Sequence, residues 1–168
     1  PLVYGMRSQY FRMGTPFSIH LLSDLAQAKV PPAKAYFFAN CYHLDDATRQ
    51  AVLDATRGKT AVWFYGGGFL SNDASEASMA QMLGMNLQRR TPPPGTVTPD
   101  PAAAGLADGL TKAFGGETVL DPIWSVTDAD AGILGRYADG TSAVASRQTP
   151  DGLRVYIGAL NCPARLLR

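Results

Sequence analysis

Residues Lys34–Leu70 read KAYFFANCYHLDDATRQAVLDATRGKTAVWFYGGGFL, and this stretch decides the fold. Ala35–Ala39 is a short apolar and aromatic run of the kind a strand buried on both faces shows. Leu44 and Asp45 open a helix. Asp45 is placed to cap it, Asp46 adds negative charge to its first turn, and Gly58 after Arg57 suits the position just past its end. Thr60–Tyr65 is a second buried-strand run, halted by Gly66, Gly67 and Gly68. Two such strands joined through a helix predict a right-handed crossover with parallel pairing. The unit is α/β, and a ligand site is sought in the loops that follow its strands.

Working outward toward the start, Leu2–Met13 has the spacing of an amphipathic helix, with Val3, Met6, Tyr10 and Met13 on one stripe. Gly14 and Pro16 end it. Phe17–Leu22 reads as a strand, and Ser23 or Asp24 caps a short helical turn through Ala28. A helix that leads into a parallel strand normally follows a strand of its own, and here the chain begins inside the helix. In a doubly wound sheet of the flavodoxin type that first strand lies between the second and the third. The reading therefore predicts a flavodoxin-like sheet with helices on both faces that lacks its first strand, within a longer natural chain.

Toward the end, Asp73-Ala-Ser-Glu76 has capping-box character, and Met79, Met82 and Leu83 give the helix behind it an apolar face. Met85–Gln88 begins another strand. Residues 91–105 form a proline-rich loop that separates a parallel α/β portion, 1–90, from a β-rich portion, 106–168, of the same domain. Leu106–Phe114 reads as a weak helix. Ile123–Thr127, Gly132–Tyr137, Ser142–Arg147 and Arg154–Ala159 are strands, with turn chemistry at Ala138-Asp139-Gly140 and Pro150-Asp151-Gly152. They predict a small antiparallel meander after the parallel sheet. The final Ala164–Arg168 reads as the start of a helix.

Composition bounds the function. A net charge of +1 gives no electrostatic case for nucleic acid or an anionic membrane surface. No apolar run is long enough to span a bilayer and nothing resembles a signal peptide, so a cytoplasmic location is favoured. Two cysteines, Cys41 and Cys162, are too few for a disulfide scaffold, and free thiols are expected. No cofactor is expected, and no group of His, Cys and carboxylates has metal-ligand spacing.

Two features are candidates for chemistry. Cys41 follows a buried strand, lies two residues from His43 and precedes a helix start, an arrangement that suits a nucleophile with its base. Residues so close in a loop rarely bring their reactive atoms together, and a buried structural thiol is the simpler reading. Gly66–Gly68 is the second: glycines after a strand let backbone N–H groups approach an anion. The run lacks the Lys-Ser/Thr of a phosphate loop and does not match the dinucleotide fingerprint, which favours a tight turn. Asp45 with Asp46, and Asp128 with Asp130, do not face one another as glycosidase carboxylates must. His20 reads as a packing residue.

Taken together, YFRMGTPFSIHLLSDL, AYFFANCYHLDDATRQAV, GKTAVWFYGGGFLS and ILGRYADG with the C-terminal LRVYIGALNCPARLLR resemble the glutamine-amidotransferase-like domain of bacterial β-galactosidase-type glycoside hydrolases. In that family the domain follows the catalytic barrel and is called the trimerisation domain. The resemblance implies a flavodoxin-like fold whose first strand precedes the helix at residues 2–13. It also implies that the turn after TAVWFY stands where class I amidotransferases carry a nucleophile elbow, with Gly66 in the nucleophile's place. Cys41 follows the preceding strand and does not inherit that role. The implied function is non-catalytic: oligomer assembly, or capping of a neighbouring sugar site, with self-association or the rest of a longer parent chain as partner and carbohydrate nearby. The alternatives are a cysteine hydrolase or amidotransferase-like enzyme using Cys41 and His43, and an anion-binding module at Gly66–Gly68.

Overall fold

A computed structural model describes residues 2–91, 95–103, 112–116 and 119–167. The organising stretch folds as its pattern requires. Strand β1 (Ala35–Phe38) leads through a helix, Asp46–Thr56, to β2 (Thr60–Phe64), and the two strands pair in parallel. The helix starts where Asp45 accepts a hydrogen bond from the Thr48 amide at 2.7 Å. It ends at Gly58, whose φ of 68° is one that a side chain would resist. Upstream, the first helix, α1 (Leu2–Arg12), matches the reading of its apolar stripe. A five-residue helix, α2 (Leu22–Ala26), follows, which makes the helix of the crossover α3.

The remaining strands do not form a separate appendage. After α4 (Glu76–Leu83) come β3 (Leu87–Arg90), β4 (Val97–Pro99), β5 (Ile123–Val126), β6 (Gly132–Tyr137), β7 (Ser142–Thr149) and β8 (Gly152–Ile157). One mixed sheet runs in the order β1-β2-β8-β7-β6-β4. Strand β8 pairs in parallel with β2 and antiparallel with β7, so it is the seam between the two halves. The expected antiparallel meander is present in β6, β7 and β8, but it extends the parallel sheet instead of following it as a separate unit, and β5 leaves it to pair with β3 in a second sheet. The physical reason is alternation. Val62 and Phe64 of β2 join Ile157 of β8 in one apolar cluster, while Trp63 and Tyr156 join another on the opposite face. Both strands thus need apolar cover on two faces, and a central position supplies it.

Helices supply that cover. Met6 and Tyr10 of α1 pack into one cluster, and Val52 of α3 with Met79, Met82 and Leu83 of α4 pack into the other. Helix α4 is capped by Ser75, whose hydroxyl accepts from the Ser78 amide at 3.0 Å, two residues later than the Asp73–Glu76 pattern suggests. Where Tyr137 crosses the sheet, its hydroxyl lies 2.9 Å from the Gly158 carbonyl. A Cβ on Gly158 would fall 2.1 Å from the Tyr137 hydroxyl oxygen, so only glycine fits.

Phe17–Leu22 is not a strand. Its backbone joins neither sheet, and Leu22 instead opens α2, where Asp24 accepts a hydrogen bond from the Leu21 amide. The stretch has apolar residues at strand spacing but pairs with no strand among the described residues, and a lone strand has nothing to satisfy its backbone. Strand β4 lies within the proline-rich residues 91–105, and Ala164–Leu167 forms a 3-10 turn. The weak helix expected from Leu106 falls mostly outside the described residues; Phe114 at its end bridges to Val97.

Candidate functional site

The loops after β1 and β2 meet at the carboxyl ends of the parallel strands, where a site is expected in such sheets. They are laced together by the backbone. The Gly68 amide donates to the Cys41 carbonyl at 2.8 Å, Leu70 N–H to the Tyr42 carbonyl at 2.8 Å, and Leu44 N–H to the Leu70 carbonyl at 3.0 Å. Arg49, buried on α3, donates to the Gly68 carbonyl at 3.2 Å and to the Ser78 carbonyl, so one guanidinium ties α3, this turn and α4 together.

The three glycines are needed for space and for one dihedral. A Cβ on Gly67 would lie 2.6 Å from Cε3 of Trp63, and one on Gly66 would lie 3.1 Å from the Tyr42 ring. Gly68 has φ of 73°. All three are buried, and the Gly68 amide is already spent on Cys41. The strained residue of this turn is Tyr65, whose φ of 54° is unusual for any residue but glycine. Tyr65, one residue before Gly66, is thus the residue whose backbone is strained at the end of β2. Sequence reasoning missed it because a run of glycines draws the eye to positive φ, whereas the left-handed residue precedes the run.

Aromatic rings fill the space above the turn. Tyr42 and Tyr65 meet edge to face with centroids 5.7 Å apart, Tyr65 and Trp124 at 5.4 Å, and Phe69 and Trp124 at 4.9 Å. The Tyr65 hydroxyl donates to the Pro122 carbonyl, and the Trp124 indole donates to Glu76 at 3.1 Å. Burial, with lesser contributions from Tyr42 and Asp121, raises the Tyr65 phenol above its ordinary range, and burial also raises that of Tyr42. Both stay protonated at neutral pH, so they act as hydrogen-bonding aromatic surfaces rather than as bases.

Cys41 is partly buried at the foot of this cluster, 3.5 Å from the Ala39 carbonyl. Burial pushes its thiol up from 9.0 to about 11, which leaves almost no thiolate at neutral pH. His43 is exposed, and its backbone bridges to Leu70. No hydrogen bond joins Cys41 to either histidine among the described residues; His20 pairs with the Ser18 hydroxyl at 2.8 Å. Cys162 is buried on the other face of the sheet and pushed up to about 12. Among the described residues no three His, Cys, Asp or Glu side chains are grouped to hold a metal ion. Asp128 caps the Asn86 region, and Asp130 pairs with Arg147 at 3.0 Å, so these carboxylates tie loops to the sheet.

No family model matches this sequence, and no curated protein does. Solved structures match. A polyextremophilic β-galactosidase from the Antarctic haloarchaeon Halorubrum lacusprofundi superposes with a TM-score of 0.68 at 15% identity, over 99% of this chain and 25% of its own. What is shared is the fold. Gan42B, a GH42 β-galactosidase from G. stearothermophilus, gives a TM-score of 0.58 at 18% identity, over 90% of this chain and 22% of its own. Op5Man5, an exo-β-1,4-mannosidase from Opitutaceae bacterium strain TAV5, gives 0.53 at 12% identity, over 82% of this chain and 25% of its own. This chain therefore spans about a quarter of the length of each of these enzymes. The same fold occurs in proteins named for galactosides and for mannosides, so it is not tied to one sugar.

Proposed function

We propose that this chain is a non-catalytic, amidotransferase-like domain of a glycoside-hydrolase-like protein, serving subunit assembly or covering a neighbouring sugar site. The observation that carries this reading is the turn after β2. Where, by the resemblance, an amidotransferase would present a thiol, this chain has Gly66, and the residue before it, Tyr65, is held to Pro122 and packed between Tyr42 and Trp124. The nearby thiol of Cys41 is protonated and unconnected to a base. The fold likeness to one quarter of several glycosidases supplies the context, and the trimerisation role of the resembled family supplies the kind of partner. In this reading the crest of Tyr42, Tyr65 and Phe69 is packed scaffold, and the glycosidase carboxylates lie elsewhere in the assembly.

The test is sedimentation of a hydrolase that carries this domain, beside the same protein with the domain deleted, with hydrolysis of an aryl β-galactoside and of glutamine followed in both. The expected result is a smaller oligomer after deletion and no glutaminase activity from the domain alone. An unchanged oligomer with unchanged sugar affinity would contradict the reading. Glutamine hydrolysis by the domain, abolished in Cys41→Ser, would favour the enzyme alternative.

A further inference from the structure

Strand β8 runs parallel to β2, and the chain beyond its carboxyl end, Asn161-Cys162-Pro163, closes against α1. Two bonds hold it there: the Cys162 amide donates to the Met6 sulfur at 3.2 Å, and the Ala164 amide to Gln9 Oε1 at 3.0 Å. Between these elements lies a hollow of about 260 Å³, lined by Gly5, Gln9, Phe114, Asn161, Cys162 and Pro163. Sheets of this kind take their ligands outside the carboxyl ends of the parallel strands. The hollow is separate from an apolar groove of about 300 Å³ beside β1, whose walls are Tyr4, Arg7, Tyr10 and Phe11 of α1 with Phe17 and Ile19. At about 100° per residue, Gly5 and Gln9 share one face of α1, and Tyr4, Arg7 and Phe11 fall on the opposite one.

The fold does not account for three features of the lining. Asn161 Oδ1 accepts from the Gly115 amide at 2.9 Å, as Gln9 Oε1 does from Ala164. A backbone N–H can bond only to the oxygen of a carboxamide, so both side chains are fixed with their NH2 groups turned from these bonds. Neither NH2 group donates to a described residue. Gly5 lies inside α1, where glycine weakens a helix relative to alanine. Its φ is not positive and a Cβ there would meet nothing within 4 Å, so neither backbone nor packing requires it. Phe114 is half-buried, and none of the six lining residues is charged.

We propose that this hollow is a binding site for a single neutral sugar ring. The Gln9 and Asn161 NH2 groups donate to ring hydroxyls, and Phe114 offers an apolar rest to the C–H face. The side chain missing at Gly5 lets the ring approach the helix backbone. The same chemistry selects among ligands. An anion finds no cation in the lining, and a purely apolar ring leaves both NH2 groups unpaired. The volume admits one ring rather than a chain of them. The site shares no residue with the crest of Tyr42, Tyr65, Phe69 and Trp124, and does not depend on the role proposed for the domain.

The probes are methyl β-galactopyranoside and methyl β-mannopyranoside, with galacturonate as anionic control and cyclohexanol as apolar control. Amide resonances of the full chain are followed by NMR, and Tm is measured for every variant. At least one glycoside is expected to shift the Gly5 amide and the side-chain NH2 groups of Gln9 and Asn161 saturably, with a Kd on the order of 1 mM. Both controls bind about tenfold more weakly or not at all. Gln9→Glu and Asn161→Asp keep the accepting oxygens and remove the NH2 donors, so each weakens binding about tenfold with Tm nearly unchanged. Gly5→Ala raises Tm while weakening binding by a similar factor, a split that a merely structural glycine would not give. Failure of both glycosides to shift these resonances would overturn the proposal. So would equal binding of either control, or binding that all three variants leave intact.

Discussion

The crest above β2 and the groove beside β1 are both rich in aromatic rings, yet one is closed and the other open. At the crest, Tyr42, Tyr65, Phe69 and Trp124 pack on one another, and two loops share three backbone hydrogen bonds. At the groove, Tyr4 and Phe11 are mostly exposed, and neither the outer edge of β1 nor Phe17–Leu21 pairs in a sheet among the described residues. The difference teaches that ring content alone does not mark a site. A region whose polar and apolar groups already satisfy one another is scaffold, and one whose groups do not is a surface awaiting cover.

The comparison breaks most readily at the closed end. Trp124→Ala removes a buried indole that contacts Tyr65 and Phe69 and anchors Glu76. It is expected to cost about 3–5 kcal/mol in urea unfolding, whereas a loss near zero would mean the crest is not packed as described. Arg49→Ala removes the buried guanidinium that donates to both the Gly68 and the Ser78 carbonyls. That change is expected to cost about 2–3 kcal/mol, and Arg49→Lys should not restore it, since one ammonium cannot span both carbonyls. At the open end the effect on stability shrinks: Ile19→Asp, at an exposed position, is expected to move stability by no more than about 0.5 kcal/mol. A large loss there would show that the groove is part of the core.

A pH titration sharpens the same contrast. Burial raises Cys41 from 9.0 to about 11 and Cys162 to about 12. A group whose folded pKa lies above its unfolded one contributes stability that is complete below the unfolded value and lost as pH rises through the folded value. Stability is therefore expected to hold up to about pH 9 and to fall above it. Replacing both thiols with alanine should flatten the first part of that fall, measured as the urea midpoint against pH; an equal fall without the thiols would place its origin in the buried tyrosines.

Local structure was legible where a residue acts on its own neighbours. Asp45 as cap, Gly58 at the end of α3, the two flanking strands and the turns at Ala138–Gly140 and Pro150–Gly152 all follow from side chains close in sequence. Long-range pairing was not. Nothing local distinguishes Arg154–Ile157 as a parallel partner of β2 from the end of a hairpin array, because it is both. Phe17–Leu22 has a strand's spacing but pairs with no strand among the described residues, a fact that only the assembled sheet reveals. At the crest, Cys41 and Gly66–Gly68 were visible as unusual residues. The decisive Tyr65 was not, since its left-handed backbone is imposed by the lacing of two loops and the hydrogen bond to Pro122.

The central claim is that this crest is scaffold without a working nucleophile. It is tested most directly by alkylating the folded chain with iodoacetamide at neutral pH and locating the label by mass spectrometry. The account expects Cys41 to react far more slowly than a free cysteine and to be labelled readily only after unfolding. Labelling of Cys41 in the folded chain faster than free cysteine, and lost when His43 is replaced by Ala, would contradict it.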